Sequence, residues 1–282
     1  MLLAALAPHT PQGPWSTSCL HQVPNDGTLI RLPKSHGQGV TLGVTLIHAN
    51  GSSTYLPPCE ETPRKRLHRD NSSANAGSHS YPVIFYGTSQ PIKSFTGTLT
   101  VPSVPKVWST QTVHWWFGVE DAKGTAVIQP VLTWMPAYAN RWVLASWNCC
   151  PAGHQFYGEL FWVNVGETVK GSIESTGGES YQVESTTPRG EQSVLRFDDS
   201  LEFTLPLLSM ETYNTSADCT LLPPSRMSMQ NLSVSPAVDS WGSNTPVGFD
   251  LKSHCGWSLD VSPSALVAMP GTRENADAEA SR

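Results

Sequence analysis

At 282 residues the chain is long enough for one large domain or two small ones, and all-β domains of this size commonly stand alone. Charged residues make up 14% while Gly (22), Pro (23) and Trp (10) are plentiful, with no heptad, internal repeat or 3.6-residue apolar period, which speaks against helical bundles and solenoids. The formal charge is −6, and residues beyond 79 carry eleven basic against nineteen acidic groups, which speaks against the positive footprint of nucleic-acid binding and fits a protein that works in acid.

Residues 1–79 are dominated by Pro, Gly, Ser, His and Asn, with one apolar alternation at 40–48 (VTLGVTLIH). The opening MLLAALA has no basic residue before it, so it reads as a poor or truncated signal peptide. Nothing approaches the roughly 20 apolar residues of a membrane span. The cluster PRKRLHRD at 63–70 runs into NSSANAGSHS, a basic stretch followed by a linker. This pattern predicts a largely irregular, propeptide-like leader over 1–79 with a processing site; the plainer reading is a solvated loop.

From residue 81 onward short strand-like runs recur between turn formers, at 81–86, 94–101, 112–119, 125–134, 141–147, 155–163, 168–174, 180–185, 192–197, 201–207, 227–234 and 257–261. They predict an all-β sandwich or barrel over 80–269, with a disordered tail at 270–282. The stretch 115–134 (WWFGVEDAKGTAVIQPVLTW) reads as two strands around a Lys123-Gly124 turn. Within the second strand Gln129 stands among apolar residues, where an unpaired amide costs about 1–3 kcal/mol.

Six cysteines allow three disulfides or none, and no C-x-x-C pair or zinc spacing is present. Adjacent Cys149 and Cys150 are expected to pair elsewhere or to remain buried thiols. Sequons at Asn50, Asn71, Asn214 and Asn231 fit a secreted glycoprotein. The three histidines beyond residue 80 (His114, His154, His254) are isolated from one another, and no G-x-S-x-G, H-E-x-x-H, phosphate loop or dinucleotide fingerprint occurs. Chemistry then falls to carboxylates, amides and aromatics, with no metal and no cofactor.

SFTGTLTVPSVP at 94–105, WFGVED…TAVIQ at 116–129 and VNVGETVKGSIES at 163–175 resemble, in order and spacing, the glutamic peptidases or eqolisins. The resemblance covers about 81–234 and is looser past 197. It implies an antiparallel β-sandwich of jelly-roll, concanavalin A-like type, a basic propeptide, and acid-acting endopeptidase activity on a polypeptide substrate by a monomer. It places the catalytic Gln at Gln129 and the catalytic Glu at Glu211, with Glu202 as the runner-up. Trp116, Glu120 and Trp147 are the substrate-binding candidates. A Glu can serve as general base toward water and then as general acid toward the leaving amine, while a fixed Gln amide donates to the oxyanion.

The chain departs from the family where Pro130-Val131 replaces Thr-Gly after the Gln, and where Ser146-Trp147-Asn148-Cys149-Cys150 replaces an aromatic and acidic W-Y-E-W-Y stretch. A Pro there belongs at an edge or bulge. The plainer readings are a hydrogen-bonded strand amide for Gln129, a surface Glu for Glu211 and core packing for the tryptophans. The alternative functions are a non-catalytic concanavalin-like module for carbohydrate or another ligand, or an inactive peptidase homologue. A glycosidase would need a carboxylate pair such as Glu120 and Glu211 or Glu159 and Glu211.

Overall fold

The computed structural model describes residues 9–10, 13–14, 17–31, 43–59, 78–86, 90–138, 141–198, 201–213, 218–236, 240–243 and 255–270. The basic cluster at 63–70, Asn71, Asn214, His254 and the tail beyond 270 lie outside the described residues. A small pair, β1 (His9–Thr10) and β2 (Gly13–Pro14), precedes β3 (Leu20–Gln22), β4 (Thr28–Arg31), β5 (Val44–Ile47) and β6 (Ser53–Leu56). Then come β7 (Ser78–Tyr86), β8 (Ser94–Thr100), β9 (Thr112–Asp121), β10 (Val127–Trp134), β11 (Trp142–Cys149), β12 (Gln155–Tyr157) and β13 (Phe161–Val163). The chain continues through β14 (Thr168–Gly177), β15 (Ser180–Thr186), β16 (Gln192–Asp198), β17 (Phe203–Tyr213), β18 (Met227–Ser235), β19 (Ser240–Ser243), β20 (Ser258–Ser262) and β21 (Ala265–Met269).

Two sheets form the sandwich. One runs β19-β7-β17-β9-β10-β11-β12-β3, with β13 beside β11; the other runs β20-β21-β18-β8-β14-β15-β16-β4-β5-β6. The all-β sandwich is as expected, but the sheets are mixed, because β3 on β12 and β4 on β16 are parallel. Both parallel pairs use strands from within 1–79. There β3 to β6 extend both sheets, and Val23, Leu29, Val44 and Leu46 enter the core, where an irregular leader was expected.

Period-2 patterning builds the interior. In β8 and β15 buried and part-exposed residues alternate, so one face packs and the other meets water. Trp115, Phe117 and Val119 of β9 join Ile128, Leu132 and Trp134 of β10 in the core with Phe95, Leu99, Val169 and Ile173 from the opposite sheet. The Phe95 and Phe117 rings meet with centroids 4.7 Å apart. β9, β10 and β11 are buried at every position, so their other face is covered as well.

Pro130 is not at an edge. Strand β10 lies between β9 and β11, and its ladder to β9 lapses between the Ile128–Val119 and Val131–Trp116 pairs without a change of register. The missing N–H of Pro130 falls in that gap, which is how the interior position is tolerated. Its ring points to the opposite sheet, where a Cβ on Gly171 would stand 2.5 Å from Pro130 Cγ and 2.8 Å from Phe117 Cζ. Gly171→Ala is therefore expected to overpack the core and lower stability by about 1–3 kcal/mol, read as a reduced denaturant midpoint at unchanged slope.

Two further expectations are corrected. The run 155–163 is two strands, because at Gly158 the backbone presses on the other sheet: a Cβ there would lie 2.5 Å from Ser193 Oγ. Cys149 and Cys150 bond to each other, the remaining four cysteines being consumed by Cys19–Cys59 and Cys219–Cys255. Among the described residues no helix is long and apolar enough to cross a membrane.

Candidate active site

The site lies on the face of β17, β9, β10 and β11 that points away from the second sheet. Alternation puts His114, Trp116, Gly118 and Glu120 of β9 on that face, with Gln129 and Thr133 of β10, Val143 and Trp147 of β11, and Ser209, Glu211 and Tyr213 of β17. All five residues expected from the sequence, Gln129, Glu211, Trp116, Glu120 and Trp147, thus share one face of adjacent strands. Glu202 is exposed ahead of β17 and Glu159 is half-buried between β12 and β13, so neither joins them.

Gln129 is fully buried, and among the described residues neither Oε1 nor Nε2 has a hydrogen-bond partner. Gly118 makes room for it: a Cβ on Gly118 would lie 2.9 Å from Gln129 Cβ, 2.7 Å from Ile128 O and 3.2 Å from Trp116 Cζ3. The same indole donates from Nε1 to Glu211 Oε2 at 3.0 Å. Trp116 therefore spans the interval between the Gln129 neighbourhood and the carboxyl. On the other side Trp147 pairs with Gln129 across the ladder and stacks on Tyr157, with centroids 5.0 Å apart.

Burial pushes the Glu211 carboxyl up to about 8; the Trp116 hydrogen bond opposes this and the negative charge of Glu120 adds to it. Glu211 is therefore a neutral acid at pH 7 and below in this arrangement. Tyr213 is raised well above the usual phenol range, by burial and then by the Glu211 charge.

Sequence reasoning missed His114, Thr133 and Tyr213. His114 Nδ1 lies 2.9 Å from Thr133 Oγ1, and its ring meets Tyr213 edge-on with centroids 5.8 Å apart. The available signal was the period-2 relation of His114 to Trp116 and Glu120, which puts it on their face. Thr133 also lines a small crevice with Tyr138, Val143, Trp147, Tyr157 and Leu160. No group of three His, Cys, Asp or Glu among the described residues is placed to hold a metal.

Chemically, the face offers a carboxyl of raised proton affinity, an unpartnered amide and aromatic walls. No protein-family model and no curated protein matches the chain. Among solved structures, scytalido-glutamic peptidase with a transition state analog inhibitor aligns over 68% of this chain and 98% of its own, at 15% identity and a TM-score of 0.50. SCP-B, a member of the eqolisin family of peptidases in complex with the tripeptide Ala-Ile-His, aligns over the same shares at 15% and 0.48. Aspergilloglutamic peptidase from Aspergillus niger aligns over 57% of this chain and 99% of its own, at 12% and 0.41. The first of these likenesses shows the fold: a β-sandwich of the glutamic-peptidase type.

Proposed function

We propose that the chain is a divergent, secreted glutamic endopeptidase that hydrolyses polypeptides with Glu211, Gln129 and a water, as a monomer without metal or cofactor. The observation that carries this reading is the buried Gln129 amide, unpartnered among the described residues, beside the tryptophan that holds Glu211. Leaving a buried amide unpaired costs about 1–3 kcal/mol, which a substrate carbonyl accepting from Nε2 would offset. As carboxylate, Glu211 takes a proton from water while the water oxygen bonds to the scissile carbonyl carbon. Gln129 Nε2–H donates to the resulting oxyanion. The Glu211 carboxylic acid then returns the proton to the amide nitrogen as the C–N bond breaks.

Substrate entry requires the covered face to open. Rehydration would return the carboxyl toward its ordinary range, giving base and acid forms together in acid. The test is hydrolysis of a denatured protein from pH 2 to 9, with pepstatin present, by the full chain and by Gln129→Ala. Activity reduced about 100- to 1,000-fold in the variant is expected from loss of an oxyanion donor. Equal activity in both would remove Gln129 from the mechanism, and an inactive parent would overturn the peptidase reading.

A further inference from the structure

Even as the face opens, Glu211 has to ionise beside aromatic walls, and one indole N–H does not provide for that. The neighbouring side chains supply more. In the ladder between β17 and β9 the residue directly opposite Glu211 is His114, itself fully buried. Opposite residues on one face of an antiparallel pair have Cβ atoms about 4.5–5.5 Å apart, within reach of an imidazole and a carboxyl. Trp116, two residues along β9, donates to Glu211 and so establishes that this face of β9 is turned to the carboxyl.

We propose that His114 is a positioning residue for Glu211, its Nε2–H acting as the donor that stabilises the carboxylate, with Thr133 holding the imidazole in that tautomer. Thr133 Oγ1 lies 2.9 Å from Nδ1, and with the hydroxyl as donor the ring proton stands on Nε2. The edge of Tyr213 fixes the ring plane from the other side. Among the described residues the titratable groups facing Glu211 are Glu120 and His114 from β9 and Tyr213 from its own strand. Of these, His114 and Tyr213 can each offer a donor to the anion, and the register sets His114 directly opposite it. Thr133 also borders the crevice between β10 and β11, so the hydroxyl beside the imidazole stands at the edge of that crevice. This proposal rests on the peptidase reading only for its consequence in catalysis; the effect on Glu211 is independent of it.

The experiment is an infrared difference titration of the carboxylic C=O stretch in the full chain, with Glu211→Gln as the blank that identifies the band. Losing one donor to a charged group is expected to move the midpoint upward by about one to two pH units in His114→Leu. His114→Gln, which keeps an N–H donor, is expected to restore most of that shift. In parallel, kcat of His114→Leu is expected to fall with its pH profile displaced upward, at little changed KM. An unmoved midpoint in His114→Leu overturns the proposal, as does a Gln variant no better than Leu. If the Leu variant fails to fold, Thr133→Val is titrated instead; a smaller upward shift supports the relay from Thr133 and an unchanged midpoint overturns it. A parent that titrates as expected but hydrolyses nothing leaves the role of His114 standing and removes the peptidase reading.

Discussion

Glu211→Gln is expected to abolish the proposed hydrolysis and, in the same protein, to flatten the dependence of stability on pH. The two effects have one origin. Burial raises the carboxyl from its ordinary value of 4.5 to about 8, so the folded state keeps a proton that the unfolded chain has released. Between those values the folded state binds more protons, and stability must fall as pH rises. The contribution is full below about pH 4.5, declines on the order of 1 kcal/mol per pH unit, and levels off above about pH 8, a total of roughly 4–5 kcal/mol. That is a large share of a typical folding free energy of about 5–15 kcal/mol. His21 and His154 act in the opposite sense: burial lowers both, His21 to about 4, so their contribution is present above pH 6.5 and lost toward acid. The difference between parent and Glu211→Gln in denaturant midpoint, followed from pH 4 to 9, isolates the carboxyl. A difference that stays constant across that range would show Glu211 to be ordinary and solvated.

Deleting residues 1–59 is expected to cost the protein its cooperative fold. A removable leader would leave the sandwich intact, but here Val23, Leu29, Val44 and Leu46 are core residues, and each buried aliphatic side chain is worth about 1.5–3 kcal/mol. The segment is also bound by backbone and side chain. Val23 N donates to Tyr157 O at 2.8 Å, Cys59 N to Ala152 O at 2.9 Å, and Asn25 Oδ1 accepts from Val194 N at 2.8 Å. His21 and His154 share a hydrogen bond of 2.9 Å, and His154 donates to Pro57 O at 2.6 Å. Loss of near-ultraviolet circular dichroism and of a sharp urea transition is the expected result. A truncated chain that unfolds in one sharp step at the parent's midpoint would show the segment to be dispensable.

Much of the second part of the chain was legible because its signals are local. Tandem runs such as SYQVEST alternate over seven residues, long enough to declare which face is inward. The neighbourhood of Gln129 stood out because an amide between Ile128 and Pro130 conflicts with its surroundings. The place of β3 to β6 in the sandwich did not stand out. Each is three or four residues; the alternation at 40–48 marked β5, but the partners of β3 and β4 lie far along the chain, so nothing local joins the segment to the sandwich. Pro130 misled because the rule against central-strand prolines concerns the N–H, and here the ladder had no bond for it to make. His114 was passed over as a lone histidine. Only the register that sets it opposite Glu211 gives it company, and register belongs to the sheet rather than to the residue.

The parallel pairing of β4 with β16 carries a consequence for synthesis. Thr28 is matched with Arg196, so an early strand waits for a partner 168 residues later in the chain. At about 5–20 residues per second that interval is roughly 10 to 30 s, during which the small β4-β5-β6 sheet carrying Leu29, Val44 and Leu46 has no opposite layer to pack on. Such distant pairings also make folding slow once the chain is complete. The newborn protein is thus most vulnerable to aggregation at its beginning, and a holding chaperone would find its natural target in residues 20–56.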